Sequence, residues 1–114
     1  MAASLVPETD LARITRWCAK ESPERYSDDL RFEHHVGGLK VTLCETRAPW
    51  DGQGGWTHVP IAQVRFRADT SDWSLHYADS NGRWHPYDMG SVQFGSIAEL
   101  LAEVDDDPTS IFRG

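Results

Sequence analysis

The sequence predicts an α+β domain in which a five-stranded antiparallel sheet, arranged as a meander, carries an N-terminal and a C-terminal helix on one apolar face. Three features support this fold. Residues Val59–Tyr87 alternate apolar and polar side chains over three short segments that two turns separate, as expected for strands with one buried face. A Gly-Gly pair separates two earlier alternating segments, which is typical of a hairpin. Amphipathic helical patterns occupy both ends of the chain.

The first two segments of the central stretch define one expected register. One side of the first segment carries Val64 and Phe66, and one side of the second carries Leu75 and Tyr77. A four-residue loop at Asp69–Asp72 would pair Phe66 with Leu75. This register keeps the apolar side chains of both strands on one face, as a half-buried sheet requires.

A second four-residue loop is predicted at Asp79–Gly82, where Asn and Gly tolerate the positive φ of a hairpin turn. This loop would pair Tyr77 with Trp84 and place His76 directly opposite His85. The two imidazoles would then point to the polar face of the sheet.

The first hairpin is predicted from Leu30–Val36 and Leu39–Thr46, joined by a two-residue turn at Gly37-Gly38. In this register Val36 lies opposite Leu39. The apolar side chains again fall on one face of the hairpin, and His34 is the polar exception on that face.

Two helices complete the fold. Thr9–Glu21 has apolar residues at helical spacing, and Trp17 is expected to anchor this helix in the core. The last helix begins with a capping box formed by Ser96 and Glu99. Its three final carboxylates, Asp105–Asp107, are expected to form a solvated helix end.

Length and composition predict one domain over residues 1–114. The formal net charge of −7 weighs against bulk attraction to nucleic acid or anionic membranes, but leaves room for a local basic patch. Cys18 and Cys44 form no ligand or disulfide pattern, which is typical of reduced thiols in a cytoplasmic protein. We recognise no signal peptide and no membrane-spanning stretch.

The polar face of the predicted sheet is the candidate functional surface. Alternation assigns to it five of the eleven Lys and Arg residues, both central imidazoles and one main acid. A local positive field of this kind favours anionic partners such as a small anionic ligand, nucleic acid or an acidic protein patch. A solvated face with scattered ion pairs is the simpler interpretation. The residues are Arg31, Lys40, Arg65, Arg67, Arg83, His76, His85 and Glu33.

Two further features leave alternatives open. The glycine-rich loop between the second and third strands contains Trp50 and Trp56, which could form a partner-binding tip or fold back as a lid over the core. The opposed His76 and His85 could supply two metal ligands, but the neighbouring arginines would repel a cation. We therefore predict no metal, no other cofactor and no catalytic residue.

The C-terminal half resembles a known family. The segments that show the resemblance are Trp73–Tyr77 (WSLHY), Gly82–Tyr87 (GRWHPY), Leu100–Pro108 (LLAEVDDDP) and the tail Phe112–Gly114. They are similar to the small bacterial proteins of domain of unknown function 3024, over about residues 10 to 114. The resemblance implies a bacterial, intracellular, single-domain protein, and it assigns no catalytic residue. Arg113 departs from the family pattern, which often has an aromatic residue there.

The leading hypothesis is a non-catalytic binding module that uses the basic sheet face and the tryptophan loop. The alternative is a small metal-dependent or hydrolytic enzyme with both central histidines in its site. The residues predicted to bind the partner are Arg65, Arg67, His76, Arg83, His85, Trp50 and Trp56.

Overall fold

The computed structural model describes residues 5–21, 30–49, 51–90 and 92–112. The α+β prediction is confirmed, since strands β1 to β5 pair antiparallel in chain order and two helices flank them. A short sixth strand, not predicted, pairs with β4. None of the helices in these ranges is long and apolar enough to cross a membrane. The elements are α1 (Glu8–Glu21), β1 (Leu30–Gly37), β2 (Lys40–Arg47), β3 (Thr57–Arg67), β4 (Asp72–Ala78), β5 (Trp84–Pro86), β6 (Phe94–Gly95) and α2 (Ile97–Asp106).

Both helices and one sheet face share a single cluster of buried apolar side chains. Trp17 of α1 belongs to this cluster as predicted, and its ring meets Phe32 of β1 edge-on at 6.0 Å between centroids. Trp73 of β4 is 1% exposed, and its indole Nε1 donates a hydrogen bond to the Asp10 carboxylate at 2.8 Å. The remaining sheet and helix members include Val41, Leu43, Ala62, Val64, Leu75, Ile14, Leu100, Leu101 and Val104.

Two of the predicted registers are wrong by two residues. Val36 pairs with Val41, not Leu39, because the hairpin turn is formed by Gly38 at φ 62° together with Leu39. Phe66 pairs with Trp73, not Leu75. Because side chains alternate with a period of two, a shift of two residues changes the pairing and leaves each side chain on its predicted face.

A β-bulge in β3 changes the phase of the alternation. Leu43 pairs with Ala62, but the next residue of β2, Cys44, pairs with Pro60, so Ile61 is an extra residue. Proline has no N–H to donate to the ladder, and bulges are one of the few places where a sheet accepts it. Before the bulge, His58 therefore lies on the polar face, opposite Thr46.

The predicted four-residue loop after β4 is also wrong, and here the error is one residue. Ala78 pairs with Trp84 and Tyr77 pairs with His85, so the loop has five residues, Asp79–Arg83. The Asp79 carboxylate accepts hydrogen bonds from the backbone N–H groups of residues 81 and 83, each at 2.9 Å. These bonds draw residue 83 into the turn, and β5 is turned over relative to the prediction.

The last helix begins as predicted and ends differently. The capping box is present, since the Ser96 hydroxyl accepts from the Glu99 N–H and the Glu99 carboxylate accepts from the Ser96 N–H. At the other end, Asp105 accepts a 3.1 Å hydrogen bond from the indole of Trp17, so this carboxylate joins the two helices instead of facing only solvent.

The connection between β5 and β6 packs closely against α2. Tyr87 is fully buried, and its hydroxyl donates a 2.8 Å hydrogen bond to the buried carboxylate of Glu103. Gly90 lies directly over this pair, so that a Cβ atom at this position would come within 2.0 Å of the tyrosine hydroxyl oxygen and 2.4 Å of the glutamate carboxylate. Only glycine fits here without moving the hydrogen-bonded pair.

We expect Gly90→Ala to lower the free energy of unfolding by about 1–3 kcal/mol, because the added methyl group must displace a buried hydrogen bond. Urea denaturation measures this loss. Gly55→Ala is the matched control, since a Cβ atom at Gly55 meets nothing within 4 Å, and its effect should stay within about 0.5 kcal/mol. Equal stability of the two variants would contradict the close contact at Gly90.

Candidate functional site

The sheet face opposite the helices, here called the polar face, carries several polar side chains that are themselves buried. Thr46, Gln63, Ser74 and His76 lie on it by register, and none of them is more than 7% exposed. Buried polar groups are costly unless they are hydrogen-bonded. The polar face therefore combines these buried polar side chains with exposed charged ones such as Lys40.

Two cations are paired at one end of the β2–β3 ladder on this surface. Lys40 of β2 and Arg65 of β3 are direct cross-strand partners. No ion pair to either of them occurs within the part of the chain that the structure describes. Like charges directly opposite on neighbouring strands destabilise a sheet, so this pair is an electrostatic cost that the fold maintains.

A hydrogen-bonded chain holds the arginine in position. The Arg65 Nε donates to the Gln63 side-chain oxygen at 2.8 Å, and the Gln63 amide nitrogen donates to the Thr42 hydroxyl at 3.0 Å. This arrangement uses Nε and leaves the terminal guanidinium nitrogens for another acceptor. A guanidinium fixed in this way is suited to planar recognition of a carboxylate or phosphate.

His76 of β4 pairs with Gln63 of β3, two residues from Arg65, and β3 separates it from the β2 strand that carries Lys40. Its Nε2 is 2.8 Å from the hydroxyl of Ser74, and the ring is only 7% exposed. Its other nitrogen, Nδ1, is buried and has no hydrogen-bond partner among the described residues. An unsatisfied buried polar atom is uncommon in native proteins and often marks a functional position. These three residues, Lys40, Arg65 and His76, are here called the Lys40–Arg65–His76 cluster.

The environment of His76 disfavours its charged form. Burial is the main cause, and the positive charges of Arg65 and Lys40 add to it, so that the imidazole pKa falls to about 4. The ring is therefore neutral near pH 7. A neutral imidazole with one free nitrogen can either accept a hydrogen bond or take up a proton when an anion approaches.

Arg67, also predicted to bind the partner, lies on the same face but is already neutralised. Its guanidinium makes two hydrogen bonds to Asp72, at 2.8 and 2.6 Å, and it stacks 4.0 Å from the centroid of the Phe94 ring. The hydrogen bond from Arg67 also holds the pKa of the Asp72 carboxyl well below its usual value. Arg67 therefore forms an ion pair, whereas Arg65 forms none among the described residues, although the alternation in the sequence assigned both to the same face.

The predicted opposition of His76 and His85 is wrong. His76 pairs with Pro86, and His85 pairs with Tyr77, so the two imidazoles lie on opposite faces of the sheet. His85 stacks on the Tyr77 ring at 5.5 Å, and its Nε2 lies 2.7 Å from the Asp79 carboxylate. The one-residue change in the loop is the physical reason. The proposed metal pair and the enzyme built on both histidines are therefore not supported.

Arg83 also leaves the predicted site. It lies in the turn before β5, where its backbone N–H and C=O both hydrogen-bond to Asp79. Two open clefts border α1, one lined by residues that include Arg16, Trp17 and Leu101 and the other by residues that include Cys18. Neither cleft contains the histidines of β4 and β5.

The tryptophan loop is described only in part. Trp50 lies outside the described residues. Trp56 is half-buried and is not in the core cluster; instead, the guanidinium of Arg31 lies 4.3 Å from its ring centroid. This cation–π contact fixes Trp56 against the β1 side of the polar face, so the expectation of a lid over the apolar core does not hold for this residue.

Sequence reasoning missed a contact between a cysteine and a histidine. The Cys18 sulfur lies 4.0 Å from Nδ1 of His34, an arrangement that resembles a thiol with its base. Burial, with smaller contributions from Cys44 and Glu33, raises the pKa of the Cys18 thiol to about 11. Burial also lowers the pKa of His34. Activated cysteines need the opposite shift toward thiolate, so this pair is structural.

We expect the buried His76 to make stability depend on pH. The unfolded chain takes up this proton near pH 6.5, whereas the folded chain does so near pH 4. The unfolded state therefore binds more protons between these values, and stability that is complete above pH 6.5 falls as the pH decreases toward 4. The loss attributable to His76 is roughly 1–3 kcal/mol.

Urea denaturation of the wild type and of His76→Gln at pH 7.5 and pH 4.5 measures this contribution. Other groups with lowered pKa values, such as His34, titrate in both proteins and cancel in the comparison. The wild type should lose more stability than the variant. An equal loss in both proteins would contradict the lowered pKa.

Comparison with known proteins identifies a family for this chain. A family model described as Domain of unknown function (DUF3024) matches residues 3–114. No curated protein and no solved structure showed a significant match. The match covers essentially the whole chain, including the Trp73–Tyr77 and Leu100–Pro108 segments on which the resemblance was recognised. The chain therefore belongs to the DUF3024 family.

Proposed function

We propose that this protein is a non-catalytic binding module that holds an anionic group at the Lys40–Arg65–His76 cluster. The observation that supports this proposal most strongly is the cross-strand pairing of Lys40 with Arg65, without an ion pair to either among the described residues. An anion between the two side chains would turn a repulsive pair into a bridged one, at a position where the sheet provides no carboxylate of its own.

The neighbouring hydrogen bonds support the same conclusion. Gln63 orients Arg65 through Nε, so little conformational freedom is lost when the terminal nitrogens engage a ligand. The Nδ1 atom of His76 is buried and has no hydrogen-bond partner among the described residues, so a protonated oxygen of an anion that reached it would meet an unused acceptor. Protonation of this nitrogen would also require the bound negative charge to outweigh burial, the main cause of the lowered pKa, as well as the two cations.

The size of the cluster favours one small anionic group over a polymer. Tight binding of nucleic acid uses many cationic contacts and is opposed by the net charge of −7 on this chain. Two cations and one imidazole match a single phosphate or carboxylate group. We therefore propose a small anionic ligand, and treat nucleic acid and acidic protein patches as outcomes of the test.

We infer a cytoplasmic location and a single-domain organisation. Cys18 and Cys44 are buried and form no disulfide among the described residues, as is usual for proteins of a reducing compartment. The buried apolar side chains of the described residues form one cluster, which supports one domain. The bacterial origin rests on the family resemblance.

Binding of inorganic phosphate tests the proposal directly. We expect phosphate, added to the ¹⁵N-labelled protein at constant ionic strength, to shift the amide resonances of Lys40, Arg65 and His76 saturably. The double variant Lys40→Gln/Arg65→Gln should weaken binding at least about tenfold, since each charge-assisted hydrogen bond contributes about 1.5–3 kcal/mol.

Arg67→Gln is the matched control, because its guanidinium is already paired with Asp72. It should bind phosphate as the wild type does. Equal weakening in the control and the double variant would show only a general charge effect and would contradict the site. Saturable binding of a single-stranded oligonucleotide, but not of phosphate, would replace the small ligand with a nucleic-acid partner.

A further inference from the structure

A second cluster on the polar face combines one carboxylate and two imidazoles. Glu33 and His35 belong to β1 and His58 belongs to β3, and one ligand atom from each lies within 4.8 Å of those of the others. Glu33 is half-buried, and both histidines are exposed. None of these residues belongs to the Lys40–Arg65–His76 cluster, so the inference is independent of the proposed function.

The sheet brings these residues together across an intervening strand. The rings of His35 and His58 are 6.1 Å apart at their centroids, although β2 lies between their strands. Two strand spacings alone amount to roughly 10 Å, so the two side chains lean toward each other over β2. The bulge at Ile61 is the second requirement, because it turns His58 to the face that Glu33 and His35 share.

The donor set is one that transition metals prefer. Two imidazole nitrogens and one carboxylate oxygen form a three-ligand set that is common for Zn²⁺, with the fourth position left to water or a ligand. Hard ions such as Mg²⁺ prefer oxygen ligands. The thiol of Cys44, which the register also places on this face, is not part of the group.

A buried hydroxyl orients one of the imidazoles. Nδ1 of His58 lies 3.2 Å from the hydroxyl of Thr46, which is fully buried. This contact leaves Nε2 of His58 for a metal ion, and hydrogen bonds of this kind fix the ring orientation of metal-binding histidines. The carboxylate is oriented as well, since Arg31 donates to Oε1 of Glu33 at 2.9 Å.

We propose that Glu33, His35 and His58 bind a divalent transition-metal ion, with Zn²⁺ as the best match to this donor set. Ligand atoms around a tetrahedral zinc ion lie roughly 3.3 Å apart, so the three groups close by small rotations of the two exposed imidazoles and the half-buried carboxylate. Oε2 of Glu33 is the coordinating oxygen, and Arg31 remains on Oε1. The bound ion links β1 to β3 across β2.

Calorimetric titration of the untagged full chain with zinc chloride tests this site. We expect one equivalent of Zn²⁺ to bind, and Glu33→Gln, His35→Gln and His58→Gln each to weaken binding by more than about tenfold. Imidazole ¹⁵N spectra should show coordination shifts at His35 and His58. Magnesium chloride should give no saturable binding.

His85→Gln is the matched control, because His85 also lies beside a carboxylate, that of Asp79, but outside the group. It should bind Zn²⁺ as the wild type does, and circular dichroism establishes that each variant is folded. The proposal is overturned if the wild type binds no Zn²⁺, if the three ligand variants retain wild-type affinity, or if the coordination shifts appear at other histidines.

Discussion

The phase of side-chain alternation along the strands is the constraint on which both candidate sites depend. A sheet has two faces, and each residue reaches one of them by its position counted from the nearest break in regular pairing. Two local features of the chain produce these breaks in regular pairing. Pro60 and the extra residue Ile61 reset the phase in β3, and the carboxylate of Asp79 resets it after β4. The first brings His58 to the polar face, and the second takes His85 away from it.

Small differences between neighbouring positions decide which cations are available on the polar face. Arg65 and Arg67 share a strand and a face, but Arg67 lies opposite Asp72, whereas Arg65 lies opposite Ser74. The carboxylate neutralises one guanidinium, while the serine hydroxyl instead contacts His76. An acidic chain thus keeps two cations without ion pairs among the described residues on its polar face, because the acids next to them in the sheet pair with other groups.

The sequence was sufficient for the fold class, both helices and the faces of four strands. The register errors of two residues at the Gly38 turn and between β3 and β4 did not change the predicted face of any side chain, since they preserve the alternation. The one-residue change of register at Asp79 was not predictable from residue types alone, because Asn81-Gly82 suits both a four-residue and a five-residue loop. A side chain bound to the backbone of the turn made the difference. The Glu33–His35–His58 group was missed because the sequence analysis began the third strand at Val59 and left His58 in the preceding loop. The strand in fact begins at Thr57, and the bulge brings His58 to the polar face.

The strands β4 and β1, which carry the two candidate sites on opposite sides of the polar face, differ in how many of their edges are hydrogen-bonded. β4 has hydrogen-bond partners on both edges, with β3 along one edge and β5, the carbonyl of Gln93 and β6 along the other. β1 pairs only with β2 among the described strands. Local opening of a protein begins where fewest backbone hydrogen bonds must break. The amide protons around His76 should therefore exchange with solvent by the most costly openings of the sheet, while those around His35 exchange by fraying of a single ladder.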